Sequence, residues 1–325
     1  MTRTRAGRLA PVASLVAALP ALLLTLVATG CGRGAPKIRT LASLPPVVMG
    51  AARVDAAIWM GSYAGLVRVA GGKTEVFAEP AGFPKGAQVR SVFPKGETLW
   101  LATNTGVVEF SLKTGKVARV WTSKDGLGAE SVRWVGEVRG ALWAGTIFGI
   151  SRLAPGERRW KNYRTAQGLL QDHVYAVGES GNALWASCIN GGLVRLDAAR
   201  DRWEAVASDH GLGNKHIYAI TATPNALWLG TAGGVNLYHT DTRTWDAAVC
   251  DDGFTDYCVR AVAMAGDDLW FGTSYGLYRR NLKTGRQAVY TTRQGLPDDE
   301  VTSIVPDGDR LLVTTRTGLC EVVRP

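Results

Sequence analysis

Six side chains recur at one position of a repeated sequence, and their types and spacing suit ligand binding. Spaced about 42 residues apart, they are Arg90, Arg133, Tyr175, Tyr218, Arg260 and Thr302. Guanidinium groups bind oxyanions in a bidentate manner, and aromatic faces offer stacking surfaces. If these residues converge, they would bind a small anionic or sugar-like ligand. The alternative interpretation is structural, with the same side chains packed between repeats and hydrogen-bonded to neighbouring carbonyl groups.

Two histidines, His173 and His216, occupy equivalent positions in consecutive repeats, each two residues before a tyrosine of that set. With an acidic neighbour they would form a divalent-metal site or an acid–base pair. Two histidines without a local motif are too few to predict either. The loop 251–256 lacks the alternating oxygen ligands and closing glutamate of a calcium loop. We therefore predict no metal and no cofactor, and a non-enzymatic protein is favoured over an enzyme.

The elements that position these residues are indicated by a phrase that occurs seven times at intervals of about 42 residues. Its first residues are Trp59, Trp100, Trp143, Trp185, Trp228, Trp270 and Leu312. Such a period predicts a repeat architecture. Within one period, four short β-rich segments, 174–177, 183–187, 192–196 and 203–206, are separated by Gly, Asn and Asp. The sequence predicts an all-β fold, a seven-bladed β-propeller with four antiparallel strands per blade.

The two ends of the sequence predict how the ring closes. After the seventh phrase there is room for the third strand of a blade but not for the fourth, and the segment 38–48 parallels 163–174. We expect this N-terminal strand to complete the last blade and to remove exposed sheet edges. The repeated tryptophans and the small residues two places after them, such as Gly61 and Gly230, are expected to pack between blades rather than to bind a ligand.

The first 30 residues are expected to form a lipoprotein signal peptide. Three arginines precede an apolar run over 11–27, and Val27–Cys31 resembles a bacterial lipobox in which Cys31 is lipidated. A plain secretory signal is the alternative. Gly32 after the cysteine favours transport to the outer membrane, facing the periplasm or the cell surface. The predicted organisation is a signal peptide over 1–30, a tether over 31–37 and the propeller over 38–325.

Cysteine usage and charge limit the remaining possibilities. Cys250 and Cys258 bracket one loop, and an oxidising periplasm would allow a disulfide between them. Cys188 and Cys320 belong to distant blades and are expected to be buried thiols. The formal net charge of +9 falls to +6 without the three leader arginines, and the excess is scattered. With no nucleic-acid motif, this pattern indicates no nucleic-acid partner, and we expect a monomer.

The blade phrase resembles the two-component regulator propeller repeat. Its clearest copy joins Gln294–Pro297 with the residues 269–279 of the preceding blade. The resemblance covers essentially all of 38–325 and implies a seven-bladed propeller of the kind that often forms periplasmic sensing domains of hybrid two-component systems. After the leader, the sequence has no membrane span, kinase or DNA-binding region with which to transmit a signal.

We therefore expect a membrane-anchored envelope lipoprotein that acts as a protein-interaction or ligand-sensing module through its loop face. Two alternatives stay open. One is a lyase or hydrolase acting on an extracellular metabolite, because propeller lyases similar in fold use a histidine and a metal on that face. The other is an envelope-assembly scaffold.

Overall fold

The computed structural model describes residues 37–43, 48–180, 183–206, 212, 214–246 and 258–324. The predicted signal peptide, Cys31 and all of the tether but its last residue lie outside these ranges. Within them, the strands form seven four-stranded antiparallel sheets. This confirms the predicted seven-bladed propeller. No helix among the described residues is long and apolar enough to cross a membrane.

The first four blades follow the chain after one N-terminal strand, β1 (Lys37–Ser43). Blade 1 consists of β2 (Val48–Val54), β3 (Ala57–Ser62), β4 (Gly65–Ala70) and β5 (Lys73–Phe77). Blade 2 consists of β6 (Val89–Lys95), β7 (Thr98–Thr103), β8 (Gly106–Ser111) and β9 (Lys116–Trp121). Blade 3 consists of β10 (Val132–Val138), β11 (Ala141–Thr146), β12 (Gly149–Leu153) and β13 (Lys161–Tyr163). Blade 4 consists of β14 (Val174–Ser180), β15 (Ala183–Cys188), β16 (Gly192–Asp197) and β17 (Arg202–Ala205).

The last three blades complete the ring, and β1 belongs to the seventh. Blade 5 consists of β18 (Ile217–Thr223), β19 (Ala226–Thr231), β20 (Gly234–His239) and β21 (Thr244–Asp246). Blade 6 consists of β22 (Ala261–Ala265), β23 (Asp268–Thr273), β24 (Gly276–Asn281) and β25 (Gln287–Tyr290). Blade 7 consists of β26 (Val301–Asp307), β27 (Arg310–Thr315), β28 (Gly318–Val323) and β1. We name the strands of each blade A to D from the inside outward.

The ring closes as predicted. Strand β1 pairs antiparallel with β28, with Lys37 opposite Val323, and the first strand of blade 1 contacts the first strand of blade 7. Ion pairs also cross the seam, which is the interface between blades 7 and 1. Arg53 of blade 1 donates to Asp307 at 2.6 Å and to Glu321 at 2.9 Å, and Arg310 donates to Glu321 at 2.9 Å. Glu321 is buried, so this carboxylate joins blades 7 and 1 at the place where the two ends of the propeller meet.

Packing between blades explains the repeated Trp-x-Gly phrase. A Cβ atom on Gly61 would lie 2.4 Å from the carbonyl oxygen of Val89 in the next blade. A Cβ atom on Gly230 would lie 2.6 Å from the carbonyl oxygen of Val259. The tryptophan two residues earlier is buried in all but one of the six blades that carry it. The structure therefore confirms that these tryptophans and glycines pack the interfaces between blades.

Candidate functional site

Short capped turns hold the loops that lead into strand A. The D–A loops after blades 2, 3 and 6 each contain one turn of 3₁₀-helix, Ser123–Asp125, Thr165–Gln167 and Thr292–Gln294. Each turn ends at a left-handed glycine followed by a buried leucine, as at Gly126 and Leu127. The side chain of the last residue in each turn accepts a hydrogen bond from the backbone N–H of the residue just before the turn. The Gly-Leu part of the repeat thus gives these loops a fixed path to the start of strand A, at the mouth of the central channel that the blades of a propeller surround.

The recurring ring residues lie where strand A begins. Strands A of successive blades contact one another, so they are the innermost strands. The A–B ladder shifts register at the ring residue, across Arg90, Arg133, Tyr175, Tyr218 and Thr302 in turn. A β-bulge re-aims the side chain of the extra residue. The bulges therefore leave these five residues outside the regular A–B pairing. We call the five residues, together with Arg260 at the equivalent position of blade 6, the lower tier.

A second set of residues, the upper tier, lies two positions earlier in each blade. Its described members are Gln88, Ser131, His173, His216, Cys258 and Glu300. In five blades the carbonyl group of this residue accepts from a backbone N–H of the B–C turn. In blade 4, for example, Ile189 donates to the carbonyl oxygen of His173 at 2.8 Å. These bonds fix the upper tier against the rest of its blade.

Lower-tier side chains contact the upper tier of the next blade. Arg90 Nη1 donates to Ser131 Oγ at 2.8 Å, and Arg133 Nε donates to His173 Nε2 at 3.4 Å. Further round the ring, Arg260 forms an ion pair with Glu300. These contacts join neighbouring blades. The interpretation that the ring residues pack between repeats is therefore correct in part.

The side of the site in blades 2 and 3 is strongly positive. Burial and the charge of Arg133 lower the pKa of Arg90, although a guanidinium stays protonated in proteins. Neither arginine forms an ion pair with a carboxylate of the described residues. The exposed ring of Tyr63, on the B–C turn of blade 1, lies near enough to Arg90 to influence its pKa. Two neighbouring cations without a counter-charge attract an anion.

The side of the site in blades 4 and 5 is aromatic. The ring of His173 stacks on Tyr175 with centroids 5.4 Å apart, and Tyr175 meets Tyr218 edge-on at 5.6 Å. The ring of His216 lies 6.3 Å from Tyr218. The guanidinium carbon of Arg133 lies 5.5 Å from the Tyr175 ring centroid, which links the aromatic and cationic parts. This strip offers stacking faces beside fixed positive charge.

The side of the site in blades 6 and 7 is already neutralised. Burial would lower the pKa of Arg260, but its hydrogen bonds and charge interactions with Cys258 and Glu300 outweigh that effect and raise it. Arg316 lies 3.8 Å from the second oxygen of Glu300 and 3.5 Å from Asp298. Thr302 hydrogen-bonds to Thr314 within its own blade at 2.9 Å. An anion would therefore bind Arg133 and Arg90 in preference to Arg260.

The predicted histidine pair has different partners. Each histidine packs on the tyrosine of its own blade, and the lone pair of His173 Nε2 accepts from Arg133. Burial, followed by the charges of Arg133 and Arg90, lowers the pKa of His173. Among the described residues, no group of three or more His, Cys, Asp or Glu is arranged to hold a metal ion. This geometry suits a neutral hydrogen-bonding imidazole.

The cysteines agree with expectation where they are described. Cys188 and Cys320 are buried free thiols, and burial raises their pKa values to about 11 and about 12. Cys258 lies close to Tyr218 and Arg260. Its proposed partner Cys250 and the loop 251–256 lie outside the described residues, so the disulfide stays a prediction.

Sequence reasoning missed several members of the site. Ser131, Glu300 and Arg316 were not predicted as site residues, although Ser131 and Glu300 share the repeat position of His173. That equivalence was a usable signal. Tyr63 lies within the first copy of the repeated phrase and could have been found as a large aromatic residue in a turn. The β-bulges had no signal in residue type.

Comparison with solved structures gives the fold alone. The chain is similar to the extracellular domain assigned to the one component system BT4673 of B. thetaiotaomicron, with a TM-score of 0.75 and 20% identity over 88% of this chain and 40% of that one. The domain assigned to the hybrid two component system BT3049 of the same organism gives 0.75 and 17%, over 88% and 42%. Virginiamycin B lyase from Staphylococcus aureus, in a catalytically inactive form with quinupristin, gives 0.70 and 16%, over 89% and 99%.

These similarities confirm the predicted resemblance at the level of architecture. The chain spans about two fifths of the length of the two extracellular domains. No protein-family model matches the sequence, and no curated protein matches it. The fold is therefore the seven-bladed propeller also found in extracellular domains of bacterial signalling systems.

Proposed function

We propose that this protein is a ligand-sensing module of the bacterial cell envelope and that its ligand binds at the two-tiered channel mouth. The observation that carries the proposal is the placement of Arg90 and Arg133 beside one another, without a carboxylate partner among the described residues, next to Tyr175. Cations held this way cost stability unless an anion joins them. A functional ligand would offset that cost.

The shape of the charge distribution selects the ligand class. A carboxylate or sulfate group would bind the arginines of blades 2 and 3, and a sugar ring would stack on Tyr175 or Tyr218. An acidic oligosaccharide combines both features. It would lie across blades 2 to 5, away from the Arg260–Glu300 ion pair. A neutral sugar would satisfy only the aromatic half.

The cellular setting is part of the same proposal. The leader and the lipobox-like segment at Cys31 support export and lipid anchoring, with Gly32 favouring the outer membrane. Two of the similar folds are extracellular domains assigned to bacterial signalling systems. We propose that the anchored propeller works as a monomer and passes the binding event to a protein partner.

The rival proposal is a lyase, and the virginiamycin B lyase fold is similar. A general base needs a free lone pair at neutral pH. The Nε2 lone pair of His173 accepts from Arg133 instead. This contact favours binding over base catalysis at that histidine.

The test uses calorimetric titration of the purified protein with oligogalacturonides and with neutral galacto-oligosaccharides of equal length. We expect the acidic sugar to bind more tightly, and Arg133→Ala to weaken that binding about 10- to 100-fold, the loss of one charge-assisted hydrogen-bonding partner. Arg158→Ala is the matched control, because Arg158 is an exposed arginine of the same blade, in its C–D connection.

Two results would overturn the proposal. One is equal affinity of the native protein and Arg133→Ala for the acidic sugar. The other is an absence of binding to both sugars, together with a cross-linked envelope partner whose capture Arg133→Ala leaves unchanged.

A further inference from the structure

In four blades, the tryptophan that begins the repeated phrase contacts an arginine on the neighbouring strand. The pairs are Trp59–Arg68, Trp143–Arg152, Trp185–Arg195 and Trp270–Arg279, with the guanidinium carbon 5.7 to 5.9 Å from the ring centroid. The members of each pair are direct cross-strand partners. Cation–π contact explains why the repeat carries arginine at this place.

Three of these arginines interact with an acidic residue. Arg68 lies 3.5 Å from Glu75, and Arg279 lies 2.9 Å from Asp268. Arg152 hydrogen-bonds to the Tyr163 hydroxyl, which donates to Asp201 of blade 4 at 2.7 Å. Burial would raise the pKa of Asp201, but its hydrogen bonds with Lys161 and Tyr163, and then the charges of Lys161 and Arg152, lower it. The clefts beside these three arginines therefore contain their own counter-charge.

The cleft between blades 4 and 5 differs in the residue that the next blade contributes. Aligning the repeats on Trp203 and Trp245 places Arg243 where blade 4 has Asp201, two residues before the tryptophan. Arg195 therefore faces a second arginine at the position where Arg152 meets an acid. Glu204 lines the cleft and lies opposite Arg195 in the C–D ladder, as Glu75 lies opposite Arg68 in blade 1, but its ion pair is with Arg200 at 3.3 Å.

The backbone at Arg243 shows that this arginine is held at a cost. Its φ is +57°, in the left-handed region. Gly115 and Gly285 fill the equivalent position in blades 2 and 6, with φ of +64° and +70°. Glycine adopts this conformation freely, whereas a side chain there is strained. Asp201 also has a left-handed backbone at this position of blade 4, with φ of +49°, so the two blades hold opposite charges on the same strained backbone site.

The cleft itself has the size and lining of a small binding site. Its volume is about 280 Å³, and its walls include Trp185, Arg195, Tyr238 and Arg243. The rings of Trp185 and Tyr238 lie 5.4 Å apart across the two blades. Burial raises the pKa of the Tyr238 phenol, and the charges of Arg243 and Arg195 act against that effect, so both guanidinium groups lie near this side chain.

We propose that this cleft binds a small molecule through one oxyanion group, a carboxylate or a phosphate, held between Arg195 and Arg243. Tyr238 can donate its hydroxyl to the same group, and the anion replaces the acid that Asp201 supplies in the preceding repeat. The site is separate from the channel mouth and does not depend on the function proposed there.

The experiment titrates the purified protein with sodium phosphate and, separately, sodium succinate at constant ionic strength set by sodium chloride. Tryptophan fluorescence and the melting temperature are recorded together. We expect a saturable fluorescence change and a rise in melting temperature with at least one of the two anions. The anion that acts tells a phosphate ligand from a carboxylate ligand.

Two substitutions at one position separate binding from folding. Arg243→Gly removes the charge and the backbone strain, so we expect at least tenfold weaker binding with an unchanged or higher melting temperature in the absence of anion. Arg243→Asp installs the acid of blade 4, and we expect it to abolish the response. Arg286→Ala, at an exposed arginine in the matching turn of blade 6, is the control and should bind as the native protein does.

A native protein with no saturable response to either anion would overturn the proposal. Binding by Arg243→Gly and by Arg243→Asp that is as tight as that of the native protein would also overturn it. Arg133→Ala should bind these anions normally, which keeps this result independent of the channel mouth.

Discussion

Removing one buried carboxylate at the seam tests how the propeller ring is held closed. Glu321 accepts from Arg53 of blade 1 and from Arg310 of its own blade, each at 2.9 Å. Glu321→Ala deletes both charge-assisted bonds, each worth about 1.5–3 kcal/mol when buried. The arginine side chains are 31% and 45% exposed, so water recovers part of the loss. We expect the free energy of unfolding to fall by about 2–4 kcal/mol.

The melting temperature converts this energy into a measurable shift. Unfolding entropy of about 2.1 cal/mol/K per residue gives about 0.6 kcal/mol/K for a propeller of roughly 290 residues. The expected fall is therefore about 3–7 °C by scanning calorimetry. Glu157→Ala is the control, because this exposed carboxylate forms no ion pair with the described residues, and its melting temperature should stay within about 1 °C of the native value.

A double-mutant cycle tests whether the hydrogen bond between Arg53 and Glu321 accounts for the loss of stability in Glu321→Ala. Arg53→Ala combined with Glu321→Ala should show a coupling of about 1–2 kcal/mol, because the two side chains share one hydrogen bond across the blades. Additive effects of the two substitutions would refute the reasoning. A Glu321→Ala protein that melts with the control would refute it too.

Two further predictions concern the blade interfaces and the channel mouth. Gly230→Ala should lower the free energy of unfolding by about 1–3 kcal/mol in urea, since the new Cβ would lie 2.6 Å from the Val259 carbonyl oxygen. Ala102→Gly, at the equivalent place in blade 2, should cost only about 0.5–1 kcal/mol, and equal costs would contradict the packing argument. The lowered pKa of His173 means that the unfolded chain binds a proton first, so stability is lost as pH falls below about 6.5, the unfolded value. His173→Gln should reduce that loss between pH 7 and 5, as urea denaturation at each pH would show, and an unchanged loss would contradict the reasoning.

The architecture was predictable because packing repeats with the sequence. Every blade must fit a tryptophan and a small residue against the next, so Gly61 and Gly230 share one environment and one spacing. The closing strand followed from the same logic, because a blade lacking its outer strand leaves an edge that β1 can cover. These features depend on residue size and period, both of which a sequence displays.

The chemistry of the site was predictable only in part. The repeat identified Arg133 and Tyr175 as equivalent residues, but not the bulges that separate them from the ladder. Equivalent positions also do not reveal that a side chain contacts the residue two places earlier in the next blade. That contact depends on the stagger between innermost strands, which the sequence does not encode in any single residue type. The pairing of Arg260 with Glu300 was missed for this reason.

Contacts between the lower and upper tiers would couple the ligand binding proposed at this site to the packing of neighbouring blades. Arg133 meets His173 of blade 4 and the ring of Tyr175, so a substitution there acts on a blade interface as well as on a ligand. Loss of affinity in Arg133→Ala is therefore informative only beside its melting temperature. A fall in both would indicate looser blades, whereas weaker binding at unchanged stability would indicate lost contact with the ligand. Affinity and melting temperature measured together also distinguish the role of Arg243 from that of Arg133, because removing the Arg243 side chain should weaken anion binding without lowering stability.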